Sequence, residues 1–139
     1  MNPATWQDAV ALYRSFATLR ALGPQVNVVV CPPTAWLGVL AGEQAQGLPL
    51  GSQDVMSELT GAFTGETGIA MLQSLNVRFC IIGHSERRRF FQETDEMVAA
   101  KVAALVRAGI TPVLCVGSEL QAEGPIEQQR VAEQLRAVF

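Results

Sequence analysis

Apolar positions along this chain alternate between two periods. Ala9, Leu12, Tyr13, Phe16 and Leu19 recur at helical spacing, which predicts a helix over about residues 5–21, opened by Thr5 with Asp8 as a capping pair and closed at Gly23-Pro24. Val26 to Cys31 is apolar at nearly every position and halts at Pro32-Pro33, the pattern of a strand covered on both faces. Thr34 is placed to cap a second helix, about 34–46, and Leu48 to Gln53 reads as a second strand. A long glycine-rich stretch from Asp54 to Gly68 follows, then a short helix over about 68–75. Phe79 to Ile82 is a third strand, and a loop from Gly83 to Thr94 leads to a helix at about 95–107. That helix carries acidic residues in its first turn, Gly109 beyond its end, and Val98, Val102, Leu105 and Val106 on one face. Pro112 to Val116 is a fourth strand, and Pro125 opens a last helix.

The order αβαβαβαβα calls for right-handed crossovers and a parallel sheet, hence an α/β fold of about four parallel strands with flanking helices. Helices stand almost at the first residue and at the last, and four strands leave two edges with no edge protection evident in the sequence. The 139 residues are therefore expected to form a single incomplete domain, a segment of a larger sheet, prone to associate or to be molten alone.

Composition narrows the partners. Hydrophobic residues make up 49% and charged residues 17%, enough apolar content for a core. No run approaches the ~20 apolar residues of a membrane span, and no charged segment precedes an apolar one in the manner of a secretion signal. A net charge of −3 argues against non-specific nucleic-acid binding. Cys31, Cys80 and Cys115 each sit in an apolar run and read as small core residues in a reducing compartment. No close Cys/His spacing supports a metal site.

His84 is the only histidine. A lone histidine after a strand is more often structural. This one stands at the carboxyl end of a parallel strand, where ligands bind in such sheets, and Glu86 and three arginines follow at once. For Arg87, Arg88 and Arg89, at least one solvated or ion-paired face is the plainer reading. The loop Thr60 to Gly68 lacks both the spacing and the lysine of a phosphate loop. It is either a flexible loop or a protruding knob whose Phe63 docks into a partner's pocket.

Gly83-His84-Ser85-Glu86-Arg87-Arg88 with Phe91 and Glu93, Ala62-Phe63-Thr64-Gly65-Glu66, Cys31-Pro32-Pro33, and Pro112 to Gly117 together resemble the triosephosphate isomerase family, in order and at compatible spacings. The resemblance implies strands two to five of a (β/α)8 barrel. The implied activity is interconversion of dihydroxyacetone phosphate and glyceraldehyde 3-phosphate through an enediolate, without cofactor or metal, in a cytoplasmic, glycolytic homodimer. By the same resemblance His84 is the catalytic electrophile and Glu86 a second catalytic carboxylate that assists proton movement or orders the site. An ion-pair role for Glu86 remains open. Phe63, Thr64, Gly65, Glu66 and Arg87 would lie at the dimer interface. A helix N-terminus beside His84 would disfavour the imidazolium.

The family's Asn-x-Lys segment, its general-base Glu, its lid and its phosphate loops have no counterpart among these residues, so this chain alone is expected to be inactive. Asp54 stands where the family commonly has Asn. After Gly117, Ser118 precedes Glu119, so no site role is carried to Glu119. The competing reading is a non-catalytic half-barrel module for binding or interaction. The coding DNA on either side, read in frame, separates the two: an upstream Asn-Trp-Lys and a downstream strand ending in Glu indicate the isomerase, and stop codons the module.

Overall fold

The computed structural model describes residues 2–16, 18–19, 23, 25–44, 47–58, 61–117 and 124–139. Helix α1 spans Trp6–Ser15. Its predicted cap is present: the Thr5 hydroxyl accepts the Asp8 N–H at 3.1 Å and donates to the Asp8 carboxylate at 2.6 Å. Ala9, Val10 and Tyr13 form the buried stripe, whereas Leu12 lies 37% exposed. The expected extension of this helix over residues 17, 20 and 21, and Pro24 beyond it, lie outside the described residues.

Helix α2, Thr34–Ala41, starts one residue earlier than its expected cap would place it. Pro33 occupies the N-cap, without a side-chain hydrogen bond, and the Thr34 hydroxyl instead accepts from Thr67 of the long loop at 3.3 Å. Residues 45–46, at the end of the predicted span, lie outside the described residues.

Three strands pair in parallel in the order β1-β2-β3: Gly51–Ser52, Phe79–Ile82 and Thr111–Leu114. The strand expected at 26–31 is reduced to one parallel bridge, Val30 with Leu50. The Val30 N–H donates to Pro49 O at 3.0 Å and the Gly51 N–H to Val30 O at 2.9 Å. The next rungs in each direction need donors from Pro49 and Pro32, which have no N–H, so the ladder stops. At the opposite edge, Thr111 and Cys115 donate inward to Arg78 O and Ile82 O, which leaves the Pro112 nitrogen on the outer side.

Helices α3 (Ile69–Ser74), α4 (Ser85–Phe90), α5 (Asp95–Arg107) and α6 (Pro125–Val138) complete the set. Cys80 and Ile82 of β2 are fully buried, packed in one core with Leu50, Ile69, Leu72 and Leu105. Each such large aliphatic side chain contributes about 1.5–3 kcal/mol through burial. The alternate residue Ile81 faces an open cavity on the other side of the sheet. Helix α5 begins where the sequence predicts, with the Thr94 hydroxyl accepting the Met97 N–H. One residue expected on its apolar face, Val106, is 61% exposed, and Lys101 lies buried instead. The three thiols are free, and burial pushes all of them up, Cys80 to about 12; Cys80 is a core residue as expected, whereas Cys31 and Cys115 are only half-buried. Among the described residues no helix is long and apolar enough to cross a membrane.

Candidate active-site face

The segment after β2, expected as a loop, contains the six-residue helix α4. Gly83 makes the turn into it with φ of +69°. A Cβ there would stand 3.0 Å from the Arg88 guanidinium and 3.2 Å from Cys115 O, so both conformation and space call for glycine. His84 is the N-cap. Its backbone oxygen accepts the N–H groups of Arg87 and Arg88 at 2.9 and 3.0 Å, and its ring Nδ1 accepts the Glu86 N–H at 3.4 Å. With Nδ1 as acceptor, the proton of the neutral imidazole belongs on Nε2. The Glu86 carboxylate lies 3.6 Å from Nδ1, so the two predicted catalytic residues are neighbours. Both are accessible, at 45% and 69% side-chain exposure.

His84 and Glu86 stand on the wall of a cavity of about 1070 Å³, together with Gln53, Asp54, Ile81 and Arg87. These residues come from the carboxyl ends of β1 and β2 and from α4, the end of a parallel sheet at which ligands bind. A ring N–H on that wall can donate to a carbonyl oxygen as negative charge develops there.

Two of these wall residues, Asp54 and Arg87, also belong to a second, more buried cluster with Glu93 and Lys101. The Asp54 carboxylate accepts from Lys101 Nζ at 2.7 Å and from the Arg87 guanidinium at 2.8 Å. Lys101 also pairs with Glu93, and Arg87 Nε approaches the same Glu93 oxygen at 3.6 Å. Glu93 and Lys101 side chains are only 1% and 6% exposed. Burial pushes the Asp54 carboxyl up even though hydrogen bonding to Lys101 and the charges of Lys101 and Arg87 oppose it. Sequence reasoning gave Lys101 no role. The available signal was a lysine in line with Val98, Val102 and Leu105 on the apolar face of α5. Arg88 donates to Gly83 O at 2.8 Å and to Asp95 at 2.5 Å, tying the start of α4 to the start of α5. Arg87 and Arg89 lie over the rings of Phe91 and Phe90 at 4.8 and 4.9 Å.

The loop expected to form a knob is closed at its base by the Met56 N–H donating to Thr67 O at 2.9 Å. At its tip the Glu66 N–H donates to Phe63 O at 3.0 Å. Phe63, Thr64, Gly65 and Glu66 are all exposed, whereas Arg87, grouped with them by resemblance, is held within the chain by Asp54. Thr60 lies outside the described residues, as do Ser118 and Glu119. Among the described residues no group of three or more His, Cys, Asp or Glu is arranged to hold a metal.

The family model for triosephosphate isomerase matches residues 1–139. The triosephosphate isomerase of Alkalilimnicola ehrlichii is 48% identical over 117 residues, covering 82% of this chain and 47% of its own length. That of Psychromonas ingrahamii is 38% identical over 137 residues, covering 97% of this chain and 55% of its own. That of Synechococcus sp. is 46% identical over 112 residues, covering 80% and 43%. The chain spans about half the length of the curated relatives it matches.

Proposed function

Because this chain belongs to the triosephosphate isomerase family, we propose that His84 is the electrophile of an isomerase that interconverts dihydroxyacetone phosphate and glyceraldehyde 3-phosphate. The observation that carries this reading is the His84 ring on the cavity wall, with Nδ1 accepting the Glu86 N–H so that Nε2–H is the donor. A base removes the proton on the carbon next to the substrate carbonyl. The electron pair moves onto the carbonyl oxygen, which Nε2–H stabilises and which takes up a proton, the neighbouring hydroxyl gives up its own to become the new carbonyl, and protonation of the former carbonyl carbon completes the exchange. Glu86, 3.6 Å from the ring, serves as a second carboxylate that orders His84 or relays protons.

The base and the substrate-phosphate contacts belong to the half of the family's length that these residues do not span. Losing a general base costs ~10²–10⁴-fold, and losing remote binding removes orientation as well. The 139 residues alone are therefore inactive as an isomerase. The whole protein is read as a cytoplasmic homodimer acting on a phosphorylated triose, with no cofactor, metal, nucleic acid or membrane involved. Its dimer contact uses the exposed tip Phe63, Thr64, Gly65 and Glu66 together with Arg87.

A chimera tests the assignment. These 139 residues replace their matched segment in the Psychromonas ingrahamii relative, and turnover of glyceraldehyde 3-phosphate is assayed. His84→Gln in an active chimera should lower kcat by ~10²–10³, the usual loss for one oxyanion donor. An active chimera indifferent to His84→Gln would sink the assignment. Turnover by the isolated 139 residues within tenfold of the chimera would sink the claim that they are inactive alone.

A further inference from the structure

We propose that Asp54 is a positioning residue: its two carboxylate oxygens grip Arg87 of α4 and Lys101 of α5 at once, and this grip holds the helix that His84 caps. The inference rests on the reading of His84 as the reacting side chain, and its test reads the ring and the helix directly, so the two can fail separately.

The contacts divide cleanly between the two oxygens. Oδ1 accepts from Lys101 at 2.7 Å and Oδ2 from Arg87 at 2.8 Å. Arg87 sits three residues beyond His84, and its N–H donates to His84 O at 2.9 Å. Its guanidinium end is fixed to the end of β1 and its backbone end to the histidine. Helix α4 has only six residues and buries none of them, so packing does little to fix it. A helix this short is not stable on its own. What fixes it are polar ties: Arg88 to Gly83 and Asp95, and Arg87 to Asp54.

The charged and titratable groups facing Asp54 are Arg87 from α4, Glu93 from the turn after it, Lys101 from α5 and Cys80 from β2. Glu93 does not substitute for Asp54 toward Arg87, because its nearer oxygen stands 3.6 Å from Nε and its other oxygen is buried without a partner. An amide at position 54 has one acceptor oxygen and a donor NH₂. Since Oδ1 faces Lys101 and Oδ2 faces Arg87, the NH₂ would take the place of one oxygen and aim a donor at that cation.

His84 ring signals, identified by their loss in His84→Gln, and amide exchange are measured by NMR in the chimera that carries these 139 residues, with Asp54 and with Asp54→Asn. The variant should move the His84 ring signals and speed exchange at the Arg87 and Arg88 amides by about tenfold or more. Ring signals that superimpose on the wild type, with exchange within twofold, would overturn the inference. So would a wild-type ring already at its random-coil position. Should Asp54→Asn fail to fold, Arg87→Lys is read by the same criteria, since it keeps the charge and the Lys101 pair but loses the planar fork.

Discussion

Two polar clusters share this face of the sheet, and they are built in opposite ways. His84 and Glu86 are exposed, 3.6 Å apart, and sparsely bonded. Asp54, Arg87, Glu93 and Lys101 form a more buried cluster, in which Asp54 bonds Lys101 at 2.7 Å and Arg87 at 2.8 Å and no side chain is more than 26% exposed. Arg87 belongs to the second cluster by its guanidinium and to the first by its backbone, one turn from His84. A group that must donate to a substrate has to keep its donor uncommitted until the substrate arrives. A buried charge has to be committed fully, because each unmatched one costs several kcal/mol. With the role proposed for His84, the two clusters answer those two demands separately.

The comparison is broken most severely from the buried side. Lys101→Met removes the shared cation, leaving buried Glu93 with only Arg87 at 3.6 Å and Asp54 with Arg87 alone. It should destabilise the chain by about 3–5 kcal/mol, read from the midpoint of urea unfolding. A loss under about 1 kcal/mol would mean that water reaches these groups and that the cluster is not buried in solution.

A smaller effect is expected from pH. The folded Asp54 carboxyl is raised above its ordinary value of 3.8, chiefly by burial. The folded chain therefore holds that proton more tightly than the unfolded chain. The stability this contributes is complete below 3.8 and is lost as pH climbs through the raised folded value. Urea titrations of wild type and Asp54→Asn from acid to neutral pH should show the gap between them narrowing as pH rises. A gap that widens instead would assign the dominant role to Arg87 and Lys101 rather than to burial.

The smallest effect is expected at the exposed pair. Glu86→Gln should change stability by no more than about 0.5 kcal/mol, the usual range for surface positions. A larger loss in the same urea assay would move Glu86 from the chemical cluster to the structural one.

The fold was legible wherever local rules decide it. Thr5 with Asp8, and Asp95 with Glu96 in the first turn of α5, announce helix starts because these signals are settled within one turn. The strand around Val30 misled because its composition is ideal, and the obstacle lies in the register. Only once Val30 is opposite Leu50 do the missing N–H groups of Pro32 and Pro49 fall where rungs are needed. The site divides along the same line. His84 and Glu86 were visible from their position just after an apolar strand. Asp54 with Lys101 was not, because 47 residues separate them and only tertiary packing brings them together. A lysine within an apolar helical stripe was the one local trace.

The outward nitrogen of Pro112 bears on how copies of this chain meet in a crowded solution. A foreign strand that adds alongside β3 finds no donor at that rung and a pyrrolidine ring in its way. Ordered stacking of strands into fibrils is disfavoured at this edge. Side-chain surface is what remains open to contact, Phe90 and Phe91 among it, both more than 60% exposed. Such contacts are concentration-dependent and reversible, whereas a continuous backbone ladder is self-templating.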